Sequence, residues 1–496
     1  MAPTTNYHTN AISKLKNPAL FIQDAFIDGK WTPKEKKFDI YEPSTATVLG
    51  QVSDCALDDF QQAIFSAVEA QETYFESTTA SQRGSLLRKW NDLILANADD
   101  LAVILSLENG KTLPEAKGEV LYAASFISWF AEEATRSYGA SIPSSTPHTT
   151  LTTVREPVGV CAIITPWNFP AAMITRKIGP ALAAGCSVVI KPPSETPYSC
   201  LALTKLAIEA GLPPKTIQVC PTKDRQAAAE LITSPLISKI SFTGSTEVGK
   251  KFAQLAAGTL KRVSLELGGN APFIVFDDAD VDLAVEGAMF CKYRCSGQTC
   301  VCANRLYVQK GIAPAFTAKL TEKVKTLQMG SGLDKSSTQG PLVNRAAVDK
   351  VHQHVQDALS RGAKIEIGGK APDKHGFFFE PTVLSGVTQD MVVSKEETFG
   401  PLAPIFQFET EQDAIRLAND TEFGLAGYFF SKDVGRVMRV AHKLKVGMIG
   451  ANTGKISAPE APFGGVKESG YGKEGSLYGL AEYQNIKSIT IGNLDK

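Results

Sequence analysis

Between residues 157 and 275, short apolar β-branched runs alternate with longer stretches in which apolar residues recur every three or four positions. The runs 158–164, 187–190, 216–220, 239–242 and 263–267 have the length and composition of buried strands. Between them, 171–184, 198–210, 225–232 and 246–257 carry the helical period. This alternation predicts an α/β fold built on a doubly wound parallel sheet, whose ligands bind at the carboxyl ends of its strands. Two further segments, 137–152 and 484–494, alternate polar and apolar residues like exposed strands, and left bare they would be open sheet edges.

The length of 496 residues corresponds to about three domain-sized units. Charged residues make up 21 % and the net charge is -1, which disfavours nucleic acid or an anionic membrane as partner. Small molecules and further copies of the chain are the expected partners. The first twenty residues are polar, with Lys14 and Lys16 but no apolar centre, and no run approaches the ~18 apolar residues of a membrane span. A cytoplasmic protein is expected. The leader has no acidic residue before Asp24, as in transit peptides, but it also has no Arg, so mitochondrial import is the lesser alternative.

Nine cysteines in a chain of this length read as reduced, mostly buried thiols. Cys291, Cys295, Cys300 and Cys302 crowd into twelve residues, yet they form no Cys-x-x-Cys pair and no His lies near them, so no metal is expected. His352 and His354 sit in a polar helical stretch and read as solvated. Cys300 follows the Gly297 bend in Arg294-Cys295-Ser296-Gly297-Gln298-Thr299-Cys300-Val301-Cys302 and is the candidate nucleophile. Thiolates attack carbonyl carbon readily, provided the thiol is partly exposed and its neighbours lower its pKa.

Two glycine motifs look like nucleotide sites. Gly470-Tyr471-Gly472-Lys473-Glu474-Gly475 fits Gly-x-Gly-x-x-Gly but follows no clear strand, and only 21 residues remain after it, so it reads as a loop. The run Gly244 to Lys251 is one residue short of a P-loop, with Lys251 where the magnesium hydroxyl would stand. It does follow a strand and open a helix, so phosphate binding survives while nucleotide hydrolysis does not. Glu266 ends the last strand of the series beside Gly268 and Gly269, and Asn168 lies in a turn stiffened by Pro166 and Pro170.

These pieces occur together in one known pattern. Thr165-Pro166-Trp167-Asn168-Phe169-Pro170, Lys191-Pro192-Pro193-Ser194-Glu195-Thr196-Pro197, Phe242-Thr243-Gly244-Ser245-Thr246, Glu266-Leu267-Gly268-Gly269-Asn270, Gly297-Gln298-Thr299-Cys300 and Glu396-Glu397-Thr398-Phe399-Gly400-Pro401 stand in the order of the aldehyde dehydrogenase superfamily, which the chain resembles over nearly its whole length. Met173-Ile174-Thr175-Arg176-Lys177, the run after Cys300 and the run from Ser394 to Pro404 resemble its succinate-semialdehyde branch.

The resemblance implies oxidation of succinate semialdehyde to succinate. Cys300 attacks the aldehyde, and the Asn168 amide and the backbone N–H of Cys300 meet the oxyanion, each donor worth about 2.7–4 kcal/mol. Hydride passes to nicotinamide, and Glu266 activates the water that hydrolyses the thioester. Thr165, Pro166, Trp167, Lys191, Pro192, Gly244, Ser245, Leu267, Glu397 and Phe399 match cofactor positions. NAD-preferring relatives carry Glu where this chain has Ser194, so NADP is expected, with NAD left open by Glu195. Arg176, Arg294 and Ser457 match positions that hold the substrate carboxylate, although Cys295 and Ser296 depart from the usual residues there. Cys302 reads equally as a small core thiol or as a redox switch that closes a disulfide with Cys300. The rival reading is a dehydrogenase of another small aldehyde, glutarate semialdehyde or an aliphatic one.

A cofactor domain of residues 1–136 and 153–265, a catalytic domain of 266–483 and an oligomerisation element of 137–152 and 484–496 follow from pattern and resemblance together. The resemblance makes a homodimer or homotetramer the expected assembly.

Overall fold

The computed structural model describes residues 11–372 and 375–493. The alternating segments form strands β1 (Cys161–Ile164), β2 (Val188–Lys191), β3 (Ile217–Val219), β4 (Lys239–Thr243) and β5 (Arg262–Glu266), all parallel in the order β5-β4-β1-β2-β3. Helices α1 (Ala172–Ala184), α2 (Tyr198–Glu209), α3 (Arg225–Thr233) and α4 (Thr246–Ala256) connect them. Gly185 ends α1 in the left-handed region, at φ +94°. Alternate residues of one strand enter different cores. Cys161, Ile163, Val188 and Ile190 pack on one side, and Ala162, Ile164, Val189, Ile240 and Phe242 on the other. Burial on both faces is why these strands read as continuous apolar runs.

The sheet is extended at both edges. Ala25–Ile27 adds antiparallel to β3, followed by Lys30–Thr32. At the other edge, Gly470–Tyr471 pairs antiparallel with β5, so part of the Gly470–Gly475 motif is a strand where the sequence suggested a loop. The reason is close approach: Gly470 has φ +101°, and a Cβ there would lie 2.0 Å from the carbonyl oxygen of Leu265.

A second sheet contains β6 (Ala271–Val275), β7 (Ala303–Gln309), β8 (Thr382–Ser385), β9 (Leu402–Phe408), β10 (Ala426–Phe430) and β11 (Met448–Ala451), parallel in the order β8-β9-β7-β6-β10-β11. Helix α5 (Val281–Tyr293) lies between β6 and β7 in the chain and delivers the cysteine segment. Phe273, Leu306 and Phe430 pack on one face of this sheet, and Ile274, Tyr307 and Phe429 on the other.

A third, antiparallel sheet pairs Gln484–Gly492 with Thr149–Pro157 from Gln484 opposite Pro157 to Gly492 opposite Thr149, and Ser141–Ile142 adds to its edge. Its ladder thus reaches Pro157, beyond residue 152. Residues 494–496 of the expected tail element lie outside the described residues. Among the described residues no helix is long and apolar enough to cross a membrane.

His354 departs from expectation. His352 is exposed, but His354 is buried in the helix Arg345–Ser360, with Nδ1 3.1 Å from Thr398 Oγ1 and Nε2 3.4 Å from Glu396 Oε2. The helix turns that position toward the second sheet, and local polarity carries no mark of it.

Candidate active site

The chain order of the first sheet reverses between β1 and β4, which makes that gap the crevice of a doubly wound fold. Ile164 pairs with Lys191 and Phe242, and Thr243 pairs with Glu266, so the Thr165–Asn168 turn, Lys191, Gly244 and Glu266 all stand at carboxyl ends. Helix α4 begins there. Its N-cap Ser245 makes no side-chain capping bond, leaving the first-turn amides for an anion. Gly249 lets α4 approach Leu267, since a Cβ would lie 2.3 Å from a Leu267 methyl.

The surroundings suit a dinucleotide. Thr165 Oγ1 is buried without a hydrogen-bond partner. Burial pushes the Lys191 amine below its usual range against the pull of Glu195, and Arg225 pushes the same way as burial. Ser194 Oγ donates to Glu195 Oε2 at 3.2 Å. Pro192 is buried beside them, while Pro166 and Trp167 are half-buried. Glu397 Oε1 accepts the Gly269 N–H at 3.2 Å. Burial raises this carboxyl to about 7, against that bond and the charges of Lys350 and Lys292. Phe399, at φ +57°, meets the Trp167 ring edge-on at 5.5 Å between centroids.

A cavity of about 300 Å³ opens between the two sheets' helices, with Cys300, Arg176, Arg294, Ser457, Lys111 and Tyr122 in its wall. Arg294 starts the turn Arg294–Gly297 after α5. Cys295 and Ser296 in that turn have φ +52° and +54°, a conformation costing about 1–3 kcal/mol each. Two bonds hold it: Cys295 N–H donates to Glu115 Oε1 at 2.8 Å, and Ser296 Oγ donates to the Gly340 carbonyl at 2.7 Å. The Arg294 guanidinium lies 4.9 Å from the centre of the Phe290 ring and 5.4 Å from that of Phe169. Among the described residues it forms no ion pair. Ser457 Oγ and the Tyr122 hydroxyl share a hydrogen bond.

Cys300 is the only one of the nine cysteines that is not buried. Protein still encloses it. Desolvation raises the thiol to about 12, Glu266 and Glu397 reinforce this, and Arg176 opposes it, so at neutral pH the resting group is the thiol. Lys292 Nζ, wholly buried, donates to the sulfur of Cys302 at 3.4 Å.

Asn168 Nδ2 donates to the Gln298 carbonyl at 3.0 Å, and its Oδ1 is buried without a partner. An amide nitrogen has two hydrogens, so one stays available. The Asn168 backbone oxygen accepts from Lys111 Nζ at 2.9 Å. Lys111 is paired in turn with Glu119, whose Oε1 takes the Ala171 and Ala172 amides at 2.9 and 3.3 Å.

Glu266 sits in a buried four-charge cluster. Arg176 Nη2 stands 2.9 and 3.0 Å from its two oxygens, and Thr243 Oγ1 donates to it at 3.3 Å. Arg176 Nε is 2.8 Å from Glu474 Oε2 as an ion pair, and Lys177 pairs with the other Glu474 oxygen. Burial raises Glu266 to about 8 against the pull of Arg176, with Glu474 adding to the rise. Glu474 goes the other way, to about 2, because Lys177 and Arg176 outweigh its desolvation. Lys111, Glu119, Tyr122 and Glu474 carry no signal in the sequence that would mark them for the site. The glycines around Glu474 are the nearest to one.

Similarity to known proteins agrees with this geometry. Residues 31–489 match the profile of the aldehyde dehydrogenase family. The chain is 52 % identical over 481 residues to succinate-semialdehyde dehydrogenase [NADP(+)] of Escherichia coli (strain K12), covering 97 % of this chain and 100 % of that protein. It is 50 % identical over 483 residues to glutarate-semialdehyde dehydrogenase of Pseudomonas aeruginosa, covering 97 % and 100 %. The crystal structure of succinate-semialdehyde dehydrogenase from Burkholderia pseudomallei superposes with a TM-score of 0.95 at 51 % identity, covering 97 % of this chain and 100 % of that one. A crevice at the strand reversal, a half-buried cysteine and this match along nearly the whole chain lead to one conclusion: the protein belongs to the aldehyde dehydrogenase family.

Proposed function

We propose that this enzyme oxidises succinate semialdehyde to succinate with NADP as hydride acceptor. One observation carries the substrate assignment: Arg294, an arginine with no carboxylate of its own among the described residues, shares a cavity with Arg176, Ser457 and Cys300. A guanidinium left unpaired in a largely enclosed wall suits an incoming carboxylate, which it can hold by two parallel bonds. The Escherichia coli and Burkholderia pseudomallei relatives bear the corresponding name.

In this reading Cys300 Sγ bonds to the aldehyde carbon as its proton leaves to solvent through the cavity, and Glu266 is kept for the later step. The free Nδ2 hydrogen of Asn168 and the Cys300 backbone N–H hold the oxyanion. A nicotinamide dinucleotide, when bound, would supply the hydride acceptor, and Thr165, Lys191, the α4 amides after Gly244, Glu397 and Phe399 would hold it. Glu266 then deprotonates the water that cleaves the thioester, a role for which a pKa near 8 is suited. NADP over NAD is supported by Ser194, which brings no charge against a 2′-phosphate, and by Lys191 with Arg225 close enough to influence it. Exposed Ile486, Ile489 and Ile491 on the antiparallel sheet support a homodimer or homotetramer.

Steady-state kinetics with succinate semialdehyde, glutarate semialdehyde and butanal, each with NADP and NAD, test the reading. The highest kcat/KM is expected for succinate semialdehyde with NADP. Equal values for the charged and neutral aldehydes would overturn the substrate assignment, a higher value for glutarate semialdehyde would replace it, and a preference for NAD would overturn the cofactor assignment.

A further inference from the structure

Arg176 touches two things that the proposed reaction keeps apart. It grips both oxygens of Glu266, the base for thioester hydrolysis, and it also lines the cavity in which the substrate carboxylate must lie. Its Nη1 makes no hydrogen bond among the described residues. The cluster of Arg176, Lys177, Glu266 and Glu474 sets two basic side chains against two carboxyl groups, all engaged with one another. A semialdehyde brings a third carboxylate.

We infer that Arg176 couples the charge of the substrate to hydrolysis: paired with Glu266 in the free enzyme, it turns to the substrate carboxylate and thereby frees Glu266 to act as base. This rests on the reading that Cys300 and Glu266 carry the chemistry. A carboxylate with both oxygens on a guanidinium is a weak acceptor, because the lone pairs that would take a proton from water are already engaged. Glu474 gives the movement a pivot, since Arg176 Nε can keep its ion pair there while Nη2 changes partner. Lys177 holds Glu474 in place. Once freed, Glu266 takes a proton from water, the water oxygen bonds to the acyl carbon, and the C–S bond breaks with its electron pair returning to Cys300. Selection for a carboxylate-bearing aldehyde then operates twice, at binding and again at hydrolysis.

The other groups facing Glu266 do not replace Arg176. Thr243 donates one bond, and Lys177, Lys473, Tyr122 and Cys300 act on it only through their fields. Glu474 adds a like charge.

The test separates hydride transfer from thioester hydrolysis by stopped flow and rapid quench. With wild-type enzyme, butanal is expected to give a full burst of reduced cofactor followed by hydrolysis about tenfold or more slower than for the succinyl thioester, within the range a general base contributes. Added propionate, a carboxylate free to occupy Arg176, should speed butyryl-thioester hydrolysis and leave the succinyl reaction unchanged. Arg176→Gln should hydrolyse the butyryl thioester faster than wild type and lose the response to propionate. Should that variant not fold, the wild-type propionate experiment decides alone. Butyryl and succinyl thioesters hydrolysing equally fast in wild type, with no effect of propionate, would overturn the coupling while leaving the substrate assignment intact. Equal kcat/KM for the two aldehydes strikes the substrate assignment instead.

Discussion

Lys111 Nζ donates to the Asn168 backbone oxygen at 2.9 Å and is paired with Glu119, which receives the amides at the start of α1. The turn that carries the Asn168 amide is therefore fixed from the helix Leu113–Glu133, about fifty residues earlier in the chain. All of these groups are buried, so the pair cannot be exchanged for water without cost.

Lys111→Met should accordingly destabilise the protein by about 3–5 kcal/mol, the cost of leaving one member of a buried pair alone. Lys111→Met with Glu119→Gln should recover most of that loss, because the glutamine oxygen still accepts from Ala171 and Ala172. Denaturant unfolding of the two variants checks the difference, and kcat should remain low in both because Asn168 has lost its anchor.

Arg294→Met is expected to raise KM for succinate semialdehyde roughly ten- to hundredfold, the loss of one charged hydrogen-bonding group worth about 1.5–3 kcal/mol. The change with butanal should be much smaller. Comparable losses for both aldehydes would mean that Arg294 shapes the wall of the cavity without binding a carboxylate.

Glu266→Gln should keep the single-turnover burst of reduced cofactor and lose turnover by about 10²–10⁴. The pH dependence follows from the raised carboxyl. The base works when deprotonated, so hydrolysis should rise with pH up to about 8 and level off above it. Quenched-flow rates across pH 6 to 10 should lack this rise in the glutamine variant.

Ser194→Glu should lower kcat/KM for NADP by about tenfold or more through repulsion of the 2′-phosphate, with little change for NAD. Arg225→Gln should act in the same direction and more weakly. Initial rates with both dinucleotides, at saturating aldehyde, report the ratio directly.

The alternation of strand and helix from residue 157 to 275 was legible because its cause is local. Strands buried on both faces must be apolar throughout, and the helices that cover them must repeat every 3.6 residues. β1 to β5 and α1 to α4 accordingly lie within three residues of the expected limits. The same logic failed at Gly470–Tyr471, whose pairing with β5 depends on a backbone approach more than two hundred residues away in the chain. It failed at His354 as well, since a polar neighbourhood does not say which way a helix faces.

The family's motifs, the doubly wound sheet, the nucleophile candidate Cys300 and the roster of arginines are written in residue type and short spacing. Which of them meet is a matter of the folded chain. Arg176 and Glu266 lie ninety residues apart and share one ion pair, Lys177 and Glu474 nearly three hundred and share another, and Lys111 reaches Asn168 from the loop before the helix Leu113–Glu133. The fold also decided that Cys300 rests as a thiol and that Cys302 turns to Lys292. The physical reason is that charge and desolvation act through space over a few ångströms, and folding alone sets which residues come that close.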